Sequence, residues 1–156
     1  MNAEPAPAPE LDVTEWLNAG PLTLAGLRGR VVVLEAFQML CPSCVSHSLP
    51  QAKRVAATFS SDDVVVLGLH TVFEHHEAMG PVSLRAFAHE NRLTFPIAID
   101  RHDDHDPTPV TFARYGMRGT PTTVLVDRAG QVRNQAFGSV PDLALGAQIA
   151  ALAAER

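Results

Sequence analysis

The chain is poor in cysteine, lysine and aromatic residues: among 156 residues it has two cysteines, a single lysine (Lys53), one tryptophan and one tyrosine. Two cysteines cannot build a multi-bridge disulfide framework, so the fold must rest on an apolar core. The basic residues, eleven arginines and Lys53, are spread along the chain, and no positive stripe marks a nucleic-acid surface. Long hydrophobic runs are also missing. The strongest, residues 31–34 and 64–69, fall far short of the roughly 20 residues a spanning helix needs, so no membrane segment is expected. Residues 1–10 offer neither the basic nor the apolar region of a secretory signal, and a cytoplasmic protein is expected. What remains is ordinary for one globular domain: 46% hydrophobic, 19% charged, net charge −5.

Alternating Ala and Pro make residues 1–10 an extended, unpacked, flexible arm, followed by a single domain over 11–156. Trp16 and Leu17 are expected to cover one edge of the core, and residues 22–29 to form a short irregular or β segment ending at Gly29. The continuous apolar run at 31–37 predicts a strand buried on both faces. Val45, Leu49, Ala52, Ala56 and Phe59 then recur at helical spacing as one stripe, with Pro50 kinking the helix near its second turn. Residues 64–69 predict a second buried strand, and 70–79, carrying His70, His75 and His76, a polar loop. A helix opening on Pro81, a strand at 95–99 and a charged loop at 100–109 holding His102 and His105 follow. A short helix at 110–115 closes on Gly116, and strands 122–126 and 131–137 form an antiparallel hairpin around Asp127-Arg128-Ala129-Gly130. The last helix spans 141–154, with Ser139 as N-cap. The fold class is α/β: a mixed sheet of four or five strands, right-handed crossovers, and helices on both faces.

The chemistry centres on Cys41-Pro42-Ser43-Cys44, placed between the carboxyl end of a central strand and the start of a helix. Unpaired backbone N–H groups and the helix field favour a thiolate there, and such motifs have thiol pKa values of roughly 3.5 to 7. Cys44, one turn on and less exposed, is placed to resolve a mixed disulfide formed on Cys41. The alternatives are two inert core cysteines or half of a zinc site, although no second C-x-x-C supplies the other ligands. Glu35 is a carboxylate inside a buried run, which costs several kcal/mol unless it is paired, solvated or protonated. It either accepts the Cys44 proton or sits on a solvated strand end or beside an arginine. The histidine loops admit a metal reading or a plain solvated one, and His47 either adjusts the cysteine field or is merely exposed.

Taken together, 24-LAGLRGRVVV-33, Glu35 six residues before Cys41, the C-P-S-C unit, Pro50, Gly119-Thr120-Pro121-Thr122 and the 127–130 turn resemble the thioredoxin superfamily. The similarity is greatest to its redoxin-type, TlpA-like disulfide oxidoreductases, and it covers about residues 20–155. It implies a thioredoxin-like fold, Cys41 as attacking and Cys44 as resolving thiol, and Glu35 as the buried acid. Pro121 matches the family's cis-proline, and Thr120 offers backbone groups to an extended substrate strand. Leu40 and Pro42 flank the nucleophile and are counted with Thr120 as substrate-contacting. Leu40 and Pro42-Ser43 depart from the Trp and Gly-Pro usual in thioredoxins. Residues 72–100 look like the inserted helix-strand unit of larger redoxin-like members.

The leading expectation is a thiol-disulfide oxidoreductase cycling a Cys41–Cys44 dithiol without a bound cofactor or metal. Its partners are a disulfide-containing protein or small molecule and a reductant such as the thioredoxin or glutathione system. The alternatives are a redoxin-type thiol peroxidase, against which residues 37–40 lack the Pro/Thr segment typical of peroxiredoxins, and a non-enzymatic metal-binding or redox-sensing protein.

Overall fold

A computed structural model describes residues 4–156 of the chain. The backbone forms β1 (Ala6–Pro7), β2 (Val13–Leu17), β3 (Val31–Phe37), α1 (Leu49–Thr58), β4 (Val64–His70), α2 (Pro81–Glu90) and β5 (Ile97–Asp100). A small hairpin of β6 (His102–Asp103) and β7 (Asp106–Pro109) follows, then α3 (Val110–Arg114), β8 (Thr122–Val126), β9 (Gln131–Phe137) and α4 (Asp142–Ala154). The main sheet has the order β1-β9-β8-β3-β4-β5-β2.

Seven strands replace the four or five expected, because two short segments dock on the edges. Val13–Leu17 pairs antiparallel with β5, and Ala6–Pro7 pairs with Val132 and Gln131 of β9. The described part of the Ala/Pro arm is therefore packed: the Tyr115 hydroxyl donates to the Pro9 carbonyl at 2.6 Å, and the Glu10 carboxylate accepts the Leu24 N–H at 2.7 Å. Residues 1–3 of that arm lie outside the described residues. A two-residue strand on an edge tolerates proline, whose missing donor is needed on one side only. Residues 25–27 form a single 3-10 turn where an irregular or β segment was expected.

β3 and β4 are parallel and central, each buried along its whole length. Their apolar runs are unbroken because both faces are covered. Val31, Val33 and Phe37 share one layer with Leu49 and Val55 of α1, Leu84 of α2, and Leu145 and Ile149 of α4. Val32, Leu34 and Ala36 face the other way, toward Phe112 of α3, Tyr115, Leu24 and Leu27. By strand periodicity Glu35 points into the first layer, the one that also holds Cys44.

Several local expectations are corrected. Pro50 lies in the first turn of α1, and the segment before it, Cys44–Ser48, is π-helical. A proline ring clashes with the carbonyl four residues earlier in a regular α-helix, and the wider turn relieves that clash. Val45, assigned to the apolar stripe, is 40% exposed. The short strand expected at 95–99 is β5, which begins at Ile97, after Pro96. Pro141 takes the N-cap position of α4 without a side-chain cap, so Ser139 does not serve there. The 100–109 loop contains the β6–β7 hairpin. Its first residue, Asp100, is buried and accepts hydrogen bonds from the Thr71 hydroxyl and the Thr111 and Phe112 N–H groups.

Candidate active site

The site forms where β3 ends. Residues 38–40 carry the chain out of the sheet, Cys41 precedes the helical turn at Pro42, and Cys44 opens the π-helical segment. Both cysteines are free thiols. Cys41 is partly exposed whereas Cys44 is fully buried. The Cys44 N–H donates to Cys41 Sγ at 3.3 Å, and that sulfur lies 3.6 Å from the Thr120 carbonyl oxygen. Burial, followed by the hydrogen-bonded Cys41 sulfur, pushes the Cys44 thiol well above its ordinary range. The outer sulfur is presented to solvent with a backbone donor on it, and the inner thiol holds its proton.

Thr120 and Pro121 arrive from the other side at the start of β8, joined by a cis peptide bond. A Cβ at Gly119 would meet the half-exposed Phe137 ring at 2.9 Å, so a side chain there requires that ring to shift. Leu40, 56% exposed, and Pro42, also exposed, adjoin Cys41 in the chain at the protein surface.

Glu35 is 1% exposed. Sheet register puts Gly68 on one side of it and Thr123 on the other. The Thr123 hydroxyl donates to Glu35 Oε2 at 2.8 Å, while Oε1 has no partner. Burial raises the carboxyl from 4.5 to about 8, tempered by the hydroxyls of Thr123 and Ser48. Of the two, only Thr123 makes a full hydrogen bond to the carboxyl; the Ser48 hydroxyl lies beside it but bonds to the Cys44 carbonyl at 3.4 Å. Among the described residues no arginine pairs with Glu35, and its 1% exposure places it away from a solvated strand end.

Four residues of the site were not read from the sequence. Gln38, 2% exposed, accepts the Phe73 N–H and donates to Thr120 Oγ1 at 3.4 Å, tying the cysteine loop to the proline loop. His70, expected in a polar loop, is the buried last residue of β4, and its Nε2 accepts the Met39 N–H at 3.3 Å. Burial lowers its pKa from 6.5 to about 4, so the ring is neutral and free to accept. Ser48 and Thr123 complete the set. A hydroxyl four residues after Cys44 was the one legible signal among these, because that spacing returns to the same side of a helix.

The other histidines are not drawn into the site. His47 contacts the Val140 carbonyl at 2.9 Å and so links the site helix to the segment leading into α4. His75 and His105 are exposed, while the His76 and His102 rings meet edge-on at 5.3 Å. Among the described residues no group of three or more His, Cys, Asp and Glu side chains is arranged to hold a metal ion.

This architecture recurs in known proteins. The crystal structure of a thioredoxin-like superfamily protein is 56% identical with a TM-score of 0.94, over 96% of this chain and 97% of that one. A thiol-disulfide isomerase from Corynebacterium glutamicum is 44% identical, again with a TM-score of 0.94, over 97% and 98% of the two chains. Protein DipZ of Mycobacterium bovis is 29% identical over 135 residues, covering 84% of this chain; the chain spans only 18% of the length of DipZ. The fold is thus thioredoxin-like. Residues 3–135 match the AhpC/TSA family, and with cysteines, buried acid and proline loop all inside that span, the chain belongs to it.

Proposed function

We propose that the protein is a thiol-disulfide oxidoreductase in which Cys41 attacks a substrate disulfide and Cys44 resolves the intermediate. The observation that carries this reading is the asymmetry of the pair: a partly exposed Cys41 sulfur accepting the N–H of a buried Cys44. The Cys41 thiolate attacks one substrate sulfur, the substrate S–S bond breaks, and the first thiolate leaves. Glu35 as carboxylate then takes the Cys44 proton. The Cys44 thiolate displaces the second substrate thiolate from Cys41 Sγ, leaving a Cys41–Cys44 disulfide and a substrate reduced by two electrons. An external dithiol, of the thioredoxin or glutathione type, returns the pair to the reduced state, and no bound cofactor enters the cycle.

Substrate in this reading is a protein or small-molecule disulfide lying across Leu40, Pro42 and the Thr120 backbone beside Pro121. The relatives support the chemical class, since the Corynebacterium glutamicum neighbour is a thiol-disulfide isomerase. We place the reaction in the cytoplasm, where fractionation of cells producing the tagged protein tests the assignment.

The deciding experiment uses Cys44→Ser and Cys41→Ser. Cys44→Ser should accumulate a mixed disulfide with substrate through Cys41, whereas Cys41→Ser should be inert. Absence of any adduct on Cys44→Ser overturns the order of attack. A reduction potential near or below about −250 mV fits a reductase, and one above about −180 mV an oxidant or isomerase. Consumption of hydrogen peroxide faster than exchange with disulfides would replace this reading with a thiol peroxidase.

A further inference from the structure

The π-helical turn after the cysteines sets the position of a hydroxyl that the exchange cycle above leaves unused. Ser48 is 2% exposed, and its hydroxyl donates to the Cys44 carbonyl at 3.4 Å. That is long for an O–H···O bond, which is ordinarily about 2.7–2.8 Å. It is also redundant, because the same carbonyl accepts the Leu49 N–H that closes the π turn. This hydroxyl also lies near enough to the buried Glu35 carboxyl to lower its pKa, and among the described residues that carboxyl's Oε1 has no partner, although its twin Oε2 is held by Thr123. An ionised carboxylate there would leave one oxygen without a donor in an apolar layer, a costly arrangement.

We propose that Ser48 is a positioning residue that turns its hydroxyl from the Cys44 carbonyl to Glu35 Oε1 when Glu35 is ionised, and so keeps the base available to take the Cys44 proton. The turn leaves no group stranded: the carbonyl retains the Leu49 N–H, and Oε1 gains the donor it lacks. When the Cys44 S–H proton passes to Glu35, the carboxylate becomes a neutral acid and the hydroxyl returns to the carbonyl. No electron moves in this step; the proton leaves sulfur for oxygen, and the resulting thiolate goes on to attack Cys41 Sγ.

The groups packed around Glu35 favour this assignment of roles. Register sets Gly68 of β4 and Thr123 of β8 on either side of it, with neutral His70 at the end of β4; Ser48 of the π turn lowers its pKa; and Cys44, Leu49 of α1 and Ile149 of α4 belong to the same buried layer, with Cys41 packed against it. The upward shift of Glu35 is caused by burial and opposed by the hydroxyls of Thr123 and Ser48, with no charged neighbour contributing.

The inference rests on Glu35 being the base for Cys44, and the test separates the two claims. The reduced protein is mixed with excess of an aromatic disulfide whose two thiolates are both coloured; the first is released by Cys41, the second by Cys44. Ser48→Ala should move the pH midpoint of the second phase upward by about one unit, a tenfold change in proton affinity, and leave the first phase unchanged. Ser48→Thr, which keeps the hydroxyl, should restore the midpoint. A carboxyl-carbon NMR titration of Glu35 should show the same shift in Ser48→Ala, or in Ser48→Gly if the alanine variant does not fold. Superimposed profiles for native and Ser48→Ala protein, with Glu35→Gln slowed, overturn the role of Ser48 alone. An unaltered second phase in Glu35→Gln overturns the base assignment and the present inference with it.

Discussion

Replacing Glu35 by Gln should change how stability depends on pH in a way that native burial dictates. The folded protein holds the Glu35 proton more tightly than the unfolded chain, with the carboxyl raised from 4.5 to about 8. Its contribution is therefore full below 4.5 and is lost as pH rises through about 8, a total of about 5 kcal/mol. His70 has the opposite sign. Its ring is lowered from 6.5 to about 4, so its contribution is full above 6.5 and lost as pH falls through about 4, worth about 3 kcal/mol. Between 4.5 and 6.5 the two slopes cancel, and the native protein should lose about 2 kcal/mol only from 6.5 to about 8. Cys44 and Tyr115 are raised from 9.0 and 10.0, which keeps them silent in that window. In Glu35→Gln the falling limb disappears: stability should rise from about 4 to 6.5 and then stay level. Urea unfolding midpoints of the reduced proteins, taken across this range, read both curves. A native curve that stays flat from 6.5 to about 8, or a Glu35→Gln curve parallel to it, would refute the claim that a neutral buried carboxyl sits in this layer.

Gly68→Ala places a methyl at 3.1 Å from Ile97 and Phe95 and 3.2 Å from Phe37, and should cost about 1–3 kcal/mol in urea unfolding; an unchanged midpoint would show that these side chains move aside freely. Asp100→Ala strands the Thr71 hydroxyl and the Thr111 and Phe112 N–H groups and should destabilise by at least about 2 kcal/mol, read by the same assay. Leu40→Asp puts a charge beside the exposed Cys41 sulfur and should slow exchange with a protein disulfide by about tenfold while leaving the unfolding midpoint within about 0.5 kcal/mol of native; equal rates would remove Leu40 from the substrate surface.

The long elements were legible because each is specified by its own residues. The unbroken Val31–Phe37 and Val64–His70 runs announce strands covered on both sides, the 127–130 turn announces a hairpin, and the Pro81 and Gly116 signals bracket their helices. C-x-x-C beyond a central strand placed the two sulfurs at the sheet's carboxyl end for the same local reason. The edge strands were hidden because two- and five-residue segments gain their structure from β9 and β5, and nothing in Ala6–Pro7 or Val13–Leu17 specifies such a partner.

Glu35 was conspicuous in the sequence as an acid among valines, yet its state was decided by what the fold brings to it. Thr123 reaches its carboxyl from 88 residues away because β3 and β8 pair in one register, and a slip of one residue would turn that hydroxyl to the opposite face. His70 reads as the start of a polar loop until the sheet buries it under the Met39 N–H. Ser48 reads as one more helical residue until the fold brings its hydroxyl near the Glu35 carboxyl. Residue types and their spacing determined which groups could react; burial and cross-strand register, which no local segment encodes, decided which of them hold a proton.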